Sequence, residues 1–187
     1  CHFSLYLSCA PPQLAPRAIF RFGPHARPQV RSSFFAPPLL LVERAAAGLF
    51  GAPAYGVFVN GYTSTADDGR PTHLWLGRRS LTKATWPGLL DCIAAGGVSA
   101  GKLPIDAMSE ECREEASMPD ELIARARSTG GVCYNGFDET GWALKRDVLF
   151  CFDLLCPPDW QPACMDGDEC GLGEVEDFEL ISIEDVA

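Results

Sequence analysis

The stretch that decides the fold runs from Gly96 to Met118 and reads GGVSAGKLPIDAMSEECREEASM. A glycine-rich turn leads there into a short segment of helical composition that is rich in glutamate. On a helix with about 3.6 residues per turn, Glu111, Glu114 and Glu115 share one face because they occupy positions i, i+3 and i+4. The residues that supply the opposite, buried face are Ala107, Met108 and Cys112.

Three carboxylates on one helix face repel one another, so their placement is easiest to explain if a cation lies between them. Oxygen ligands suit hard divalent cations such as Mg²⁺ or Mn²⁺. Glutamate runs on helices are most often solvated faces, and this alternative stays open for the glutamates taken alone. Two features favour a site: Gly96, Gly97 and Gly101 allow close backbone approach, and Pro104 suits the first turn of a helix.

The stretch resembles the signature of the Nudix (MutT-like) hydrolases, G-x5-E-x7-R-E-U-x-E-E-x-G-U, in which U is a bulky aliphatic residue. Counted from Gly96, the metal-binding glutamates of the signature fall on Glu111, Glu114 and Glu115. The resemblance implies that these three are the catalytic and metal-binding residues, with the Gly96 or Gly97 carbonyl nearby. It also implies Mg²⁺ or Mn²⁺ as cofactor and hydrolysis of a phosphoric anhydride bond as the reaction.

Three positions depart from this signature. Lys102 stands in place of an acid, Glu110 in place of the arginine, and Ser117 in place of the late glycine. In the family that arginine helps to orient the glutamate that follows it, so we expect these departures not to favour activity. A catalytically weakened binding module is therefore one alternative to an enzyme.

The segments on either side of the signature predict an α/β domain. Alternation and β-branched or aromatic content predict strands at 55–62, 73–76, 131–135, 144–155 and 174–183. The run 144–155 is expected to be central, because it is a long apolar run. Helices are predicted at 39–49 and 120–128, and loops at 65–71 and 157–173. The order fits the Nudix α/β/α sandwich with a mixed sheet, here expected to lack the family's C-terminal helix.

A second resemblance covers residues 43–187. The phrases NGY, KxTxPGxLD and KRDVLF are similar to those of the thiamin pyrophosphokinase-related Nudix subfamily, which includes plant Nudix hydrolases and the Nudix half of fungal fusions. This resemblance implies cleavage of thiamin diphosphate, or of its oxidised oxo and oxy forms, to the monophosphate and phosphate. A pyrophosphatase of ADP-ribose, NADH or another nucleoside diphosphate derivative is the alternative specificity.

Basic and aromatic side chains around these phrases are candidates for binding a small-molecule diphosphate. Each has an ordinary alternative, since basic residues are mostly surface charges and aromatic residues mostly core. The candidate phosphate contacts are Arg78, Arg79, Lys83 and Arg146. The candidates for stacking on a heterocycle are Trp86, Tyr62 and Tyr134. On the late strand, Glu174 or Glu176 is a further candidate ligand or base.

Charge is distributed unevenly along the 187 residues, which carry −10 in total. Residues 1–42 contain four arginines and no acid, and the remainder carries −14. A basic, acid-free start containing Ser and Pro resembles an organelle transit peptide, although an extension or the remnant of a preceding domain is equally compatible. We therefore divide the chain into a leader, 1–42, and a Nudix domain, 43–187. A cleaved leader predicts a chloroplast or another organelle, and otherwise the cytoplasm.

Composition also argues against several classes of function. The acidic body disfavours sequence-independent binding to nucleic acid, and no apolar run approaches the roughly 18 residues of a membrane span. Nine cysteines at irregular spacing do not form a secreted disulfide framework. Zinc binding by Cys156, Cys164 and Cys170 is disfavoured because no CxxC pair or nearby histidine supports it. The sequence leaves a homodimer open.

Overall fold

The computed structural model describes residues 19–22, 28–31, 40–41, 44–65, 69–83, 85–99, 101–137, 141–164 and 174–186. Within the basic leader, strands β1 (Ile19–Phe22), β2 (Pro28–Arg31) and β3 (Leu40–Leu41) form an antiparallel three-stranded sheet. A 3₁₀ helix, Arg44–Phe50, follows. The division of the chain at residue 42 stays a prediction.

The larger sheet contains seven strands. They are β4 (Ala54–Thr63), β5 (His73–Arg79), β6 (Leu90–Cys92), β7 (Ala94–Gly97), β8 (Arg127–Phe137), β9 (Leu144–Leu155) and β10 (Val175–Ser182). The helices are α1 (Pro104–Ala116), α2 (Asp120–Ile123) and α3 (Ile183–Val186). A mixed sheet together with helices confirms the predicted α/β class.

The strand order of the larger sheet is β10-β5-β4-β9-β8, with β6 paired to β5 and β7 paired to β4. Strands β4 and β9 run parallel over nine residue pairs, and the other pairings are antiparallel. The long strand β9 lies between β4 and β8, so its predicted central place is confirmed. This topology brings β7, and with it the glycine-rich turn, beside the first half of β4.

Helix α1 packs against β7 and β4, where its apolar face forms the core with the sheet. Met108 and Cys112 are almost completely buried, and so are Val57 and Val59 of β4. The buried helix face predicted from the sequence is therefore confirmed. Burying such side chains stabilises a fold by roughly 1.5–3 kcal/mol each. Packing of this apolar face against the sheet therefore fixes which residues of α1 lie on its opposite face.

The ends of α1 follow from local residue types. Pro104 occupies the first turn of the helix. Backbone N–H groups in this turn have no partner within the helix, so proline, which lacks an N–H, costs no hydrogen bond there. At the C-terminal end Ser117 adopts a left-handed conformation with φ 49°, and its N–H donates to the Arg113 carbonyl. This conformation suits glycine better than other residues, which accounts for the glycine of the family signature at this position.

Three predicted elements need correction. Within the described part of the predicted helix 39–49, Leu40–Leu41 form strand β3 and the residues from Arg44 onward form the 3₁₀ helix Arg44–Phe50. Gly51, with φ 61°, follows this helix. The predicted helix 120–128 ends at Ile123, because Arg127 already pairs with Asp153 of β9. A C-terminal helix is present, α3, although it has only four residues.

Several sequence predictions fall beyond the described residues. They concern residues 1–18, 23–27, 32–39 and 42 of the leader, the tip 66–68 of the connection between β4 and β5, and the segment 165–173 with Cys170. Among the helices that are described, none is long and apolar enough to cross a membrane.

Candidate active site

The carboxylate of Glu111 lies against the backbone of Gly96, the residue at which β7 faces α1. A β-carbon built at Gly96 would overlap the Glu111 carboxyl group, so a larger residue there would displace this carboxyl group. Burial, reinforced by the nearby carboxylates of Glu114 and Glu174, raises the pKa of Glu111 to about 7. The charge of Lys102 opposes this shift without cancelling it, and a bound cation would stabilise the ionised carboxylate further.

Glu115 lies one helical turn further and faces the same strand. Its Oε2 accepts a hydrogen bond from the Ala95 N–H at 2.7 Å. Burial nevertheless raises the pKa of Glu115 to about 8, with the hydrogen bond from Ala95 opposing and the charges of Glu111 and Glu174 reinforcing the shift. Two partly buried carboxylates of α1 therefore face β7, and burial raises the pKa of both.

Glu114 is exposed on the same helix, at the position between these two carboxylates. Within the part of the chain that the structure describes, no three side chains of His, Cys, Asp or Glu converge closely enough to hold a metal ion. Carboxylate oxygens are nevertheless the donors that Mg²⁺ and Mn²⁺ prefer. The donor chemistry therefore fits such a cation, and direct coordination by all three glutamates requires a change of side-chain rotamer. Gly97 lies at the end of β7, paired with Gly56 of β4.

A small, open pocket lies beside Glu115. Its lining residues are Gly77, Arg79, Lys83, Asp91, Cys92, Ala95, Glu115, Glu174 and Val175. Two ion pairs cross the lining, since Arg79 contacts Asp91 at 2.9 Å and Lys83 contacts Glu174. The structure thus brings two of the predicted phosphate contacts, Arg79 and Lys83, into one pocket with a predicted metal ligand.

Arg78 and Arg146 lie elsewhere. Successive strand residues point to opposite faces, so Arg78 points away from the pocket that Arg79 lines. Its guanidinium donates to the Gly88 carbonyl at 3.0 Å and forms ion pairs with Asp177, at 3.4 Å, and Glu179. Arg146, on β9, donates to the carbonyl oxygen of Gly51 at 3.1 Å and does not line the pocket.

Trp86 lies on the loop between β5 and β6 and is 56% exposed. Its backbone adopts φ 54°, an outlier for a bulky side chain. Arg79 donates to the carbonyl of the preceding residue, Thr85, from Nε at 3.2 Å and from a terminal nitrogen at 2.9 Å. Arg79 therefore lines the pocket and also holds the segment that carries Trp86.

The remaining predicted residues have different surroundings. Tyr134 is exposed on β8, and Tyr62 lies on β4. Glu174 lines the pocket, whereas the Glu176 carboxylate accepts the Leu81 N–H at 3.0 Å. Of the two late glutamates, the structure thus brings only Glu174 to the pocket.

Sequence reasoning missed two features of the site. Asp91, the partner of Arg79, was not singled out, although it ends the phrase KxTxPGxLD, whose first residue, Lys83, also lines the pocket. Lys102 and Glu110 were treated as separate departures, yet Lys102 Nζ donates to Glu110 Oε2. The sequence contained a signal for this contact. The signature has an acid and an arginine at these two positions, and this chain has a lysine and a glutamate, so the two charges are opposite in both cases.

Comparisons with known proteins relate the chain to one family. Residues 52–187 match the family model described as NUDIX domain. Nudix hydrolase 20, chloroplastic, from Arabidopsis thaliana is 44% identical over 158 residues, which are 84% of this chain and 39% of that protein. Nudix hydrolase 24, chloroplastic, from the same plant is 42% identical over 84% of this chain and 40% of its own length. The chain thus spans about two fifths of the length of these relatives.

Solved structures share the fold at low sequence identity. DR0079 from Deinococcus radiodurans superposes with a TM-score of 0.57 at 17% identity, covering 89% of this chain and 85% of that one. The NUDIX domain of Shewanella oneidensis NrtR, solved with ADP ribose, gives 0.52 at 16% identity and covers 73% of this chain and 77% of that one. These likenesses confirm the predicted fold.

Proposed function

The chain belongs to the Nudix family of hydrolases, which act on pyrophosphate bonds, and from this premise we propose that it is a divalent-cation-dependent diphosphohydrolase of a small molecule. One observation carries the proposal: the helix that bears the signature glutamates presents Glu115 to the same pocket as Arg79 and Lys83. The pocket thus combines a carboxylate that can bind a metal ion with basic side chains that can bind a diphosphate. This combination suits hydrolysis of a phosphoric anhydride.

Glu111, Glu114 and Glu115 would hold Mg²⁺ or Mn²⁺, with the Gly97 carbonyl as a further oxygen donor. When bound, such a cation neutralises phosphate charge and makes water a stronger nucleophile. Nudix hydrolases generally use cations of this kind. Because the whole chain carries −10, an anionic substrate depends on such local positive charge to dock.

Lys83 and Arg79 would bind the phosphate oxygens. Both already contact carboxylates, Glu174 and Asp91, and a diphosphate would take over part of those contacts. Water then attacks phosphorus, the anhydride oxygen leaves with its phosphate, and a carboxylate accepts the proton of the water. Glu174 suits that last role because it lines the pocket. This reaction needs mainly positioning and charge neutralisation from the protein.

For the substrate we propose thiamin diphosphate or its oxidised forms, cleaved to the monophosphate and phosphate. The support is the similarity of NGY, KxTxPGxLD and KRDVLF to the thiamin pyrophosphokinase-related subfamily, together with the place of Lys83 and Asp91, the two ends of the second phrase, in the pocket. The exposed ring of Trp86 is the candidate platform for the heterocycle.

We also propose a chloroplast location. The two Arabidopsis relatives are named chloroplastic, and residues 1–42 of this chain are basic and contain no acid. Import of a fluorescent fusion into isolated chloroplasts tests this, and a fusion that stays outside would contradict it.

The function is tested by phosphate release from oxo-thiamin diphosphate with and without Mg²⁺, alongside AMP release from ADP-ribose and NADH. We expect Mg²⁺-dependent phosphate release that Glu114→Gln reduces by about a hundredfold or more, while Glu121→Gln, an exposed carboxylate of α2, keeps it. A preference for ADP-ribose or NADH would overturn the substrate and keep the hydrolase. Full activity in Glu114→Gln would show that the cation site is wrong.

A further inference from the structure

An ion pair joins the loop before α1 to the helix itself. Lys102 lies in the loop that follows β7, and its Nζ contacts Glu110 Oε2 across the first two turns of α1. The two side chains are 29% and 47% exposed. Glu110 directly precedes Glu111, the glutamate that lies against Gly96.

Both members of this pair are departures from the Nudix signature. The signature has an acid where Lys102 stands and arginine where Glu110 stands, so both positions carry the reverse charge. Either departure alone would place two like charges at the contact. Together they preserve an attractive pair with reversed polarity. The structure thereby shows contact between two substitutions that the sequence presents as two separate defects.

We propose that Lys102 and Glu110 are a charge-reversed positioning pair, which holds the glycine-rich loop on α1 and thereby keeps Glu111 against Gly96. The proposal rests on the proposed function, because the orientation of Glu111 matters there for cation binding. It also predicts that Glu110 does not weaken the site. The signature has a positive charge at this position, and Lys102 supplies that charge from the loop.

The position of the pair explains how it acts on the site. Glu111 is one residue from Glu110 on a helix whose other face is locked in the core by Met108 and Cys112. The loop meets the same helix turn through Lys102, whose N–H donates to the Ser99 carbonyl at 3.1 Å. Strand and helix are therefore connected both by the short loop and by the ion pair, on either side of the Gly96–Glu111 contact.

Two single variants, each reversing the charge of one member of the pair, distinguish a positioning role from a general electrostatic effect on cation binding. Lys102→Glu makes the protein more negative and Glu110→Arg makes it more positive, by the same amount. Electrostatic attraction alone would make the first variant bind Mn²⁺ more tightly and the second less tightly. A positioning pair predicts weaker binding in both, because each reversal places like charges at the contact. The double variant Lys102→Glu/Glu110→Arg keeps the net charge and restores attraction.

We expect each single reversal to weaken Mn²⁺ binding about tenfold or more, and the double variant to bind within about threefold of the wild type. Mn²⁺ affinity is measured by electron paramagnetic resonance without substrate, and kcat and KM are measured in parallel. The control is the pair of Arg113 and Asp120, 2.7 Å apart, which joins α1 to α2. Arg113→Glu and Asp120→Arg should change Mn²⁺ affinity in opposite directions.

Opposite-signed effects of the Lys102 and Glu110 reversals, or no recovery in the double variant, would overturn the positioning pair and leave the hydrolase intact. Absence of Mn²⁺ binding and of turnover in the wild type would instead overturn the proposed function. In that case amide hydrogen exchange of residues 98–103 in the metal-free protein tests whether the pair of Lys102 and Glu110 holds the loop on α1. Faster exchange in both single variants, with recovery in the double variant, supports it, and unchanged exchange contradicts it.

Discussion

The Glu111 carboxylate occupies the space that a β-carbon of residue 96 would need, so a larger residue in place of Gly96 would displace this carboxylate. The contact joins strand β7 to helix α1 at the partly buried end of the candidate cation site. It gives the first glycine of the signature stretch a steric role, independent of any turn conformation, because no positive φ is found at Gly96.

Gly96→Ala should displace the Glu111 side chain and lower both Mn²⁺ affinity and turnover by about a hundredfold, since misplacing a reacting group by about 1 Å has effects of that size. The measurements are Mn²⁺ titration and phosphate release. Gly136→Ala on β8 is the matched control, because a β-carbon there meets no atom within 4 Å. Equal activity of the two alanine variants would show that the position of Glu111 does not matter for the reaction.

Ser117→Gly should stabilise the protein. Ser117 ends α1 at φ 49°, a left-handed conformation whose cost for residues other than glycine is roughly 1–2 kcal/mol. The greater freedom of glycine in the unfolded chain offsets part of this gain. We expect a rise in Tm of about 2–4 °C, the effect of about 1 kcal/mol in a protein of this size. Scanning calorimetry of both proteins measures it, and a lower Tm for the variant would contradict the role assigned to the helix end.

Lys83→Met should raise KM for a diphosphate about tenfold or more with a smaller change in kcat, because the phosphate loses a charged donor and Glu174 loses its partner. Arg78→Met provides the contrast. Arg78 pairs with Glu179 away from the pocket, so its loss should lower Tm and leave KM nearly unchanged. Steady-state kinetics of the two variants decide the matter, and equal increases in KM would show that the pocket beside Glu115 is not the phosphate site.

The metal-free protein should lose stability as the pH rises. The folded-state pKa of Glu115 is about 8, against an ordinary value of 4.5. Between these values the folded state binds more protons than the unfolded state, so the free energy of unfolding falls with rising pH, and the loss is complete above pH 8. Glu111, with a pKa of about 7, acts in the same direction.

Glu115→Gln removes this penalty. With EDTA present, the variant should exceed the wild type in Tm at pH 9, by about 2–4 °C for each kcal/mol regained, and the advantage should shrink toward pH 5. Thermal unfolding at several pH values measures the difference. Glu121→Gln serves as control, because it removes a carboxylate that is exposed on α2. A pH-independent advantage of Glu115→Gln would contradict the assigned burial of its charge.

The sequence predicted those parts of the fold that depend on local periodicity. Helix α1 with its buried face, the hairpin strands β4 and β5, and the full extent of β9 agree with the structure. Their patterns repeat over many residues, so each element is specified by its own segment. The family could be identified for the same reason, since the spacing of the signature lies within a single loop and helix.

Short elements were predicted less well because distant pairing decides them. The segment after Ile123 has helical composition, yet Arg127 and the residues that follow form β8, since pairing with β9 satisfies their backbone groups. Likewise the alanine-rich segment Arg44–Phe50 is too short for a stable α-helix on its own and adopts a 3₁₀ conformation.

The site divides in the same way. The sequence alone determined that three glutamates share a helix face after a glycine-rich turn, because helix geometry fixes which residues are neighbours three and four positions apart. Only the tertiary structure decided that Arg79 rather than Arg78 lines the pocket beside Glu115. It also decided that Asp91 and Glu174 pair with Arg79 and Lys83, and that Lys102 contacts Glu110. These contacts depend on which way each side chain points once strands pair and the helix packs, and that direction is set by residues far away in the chain.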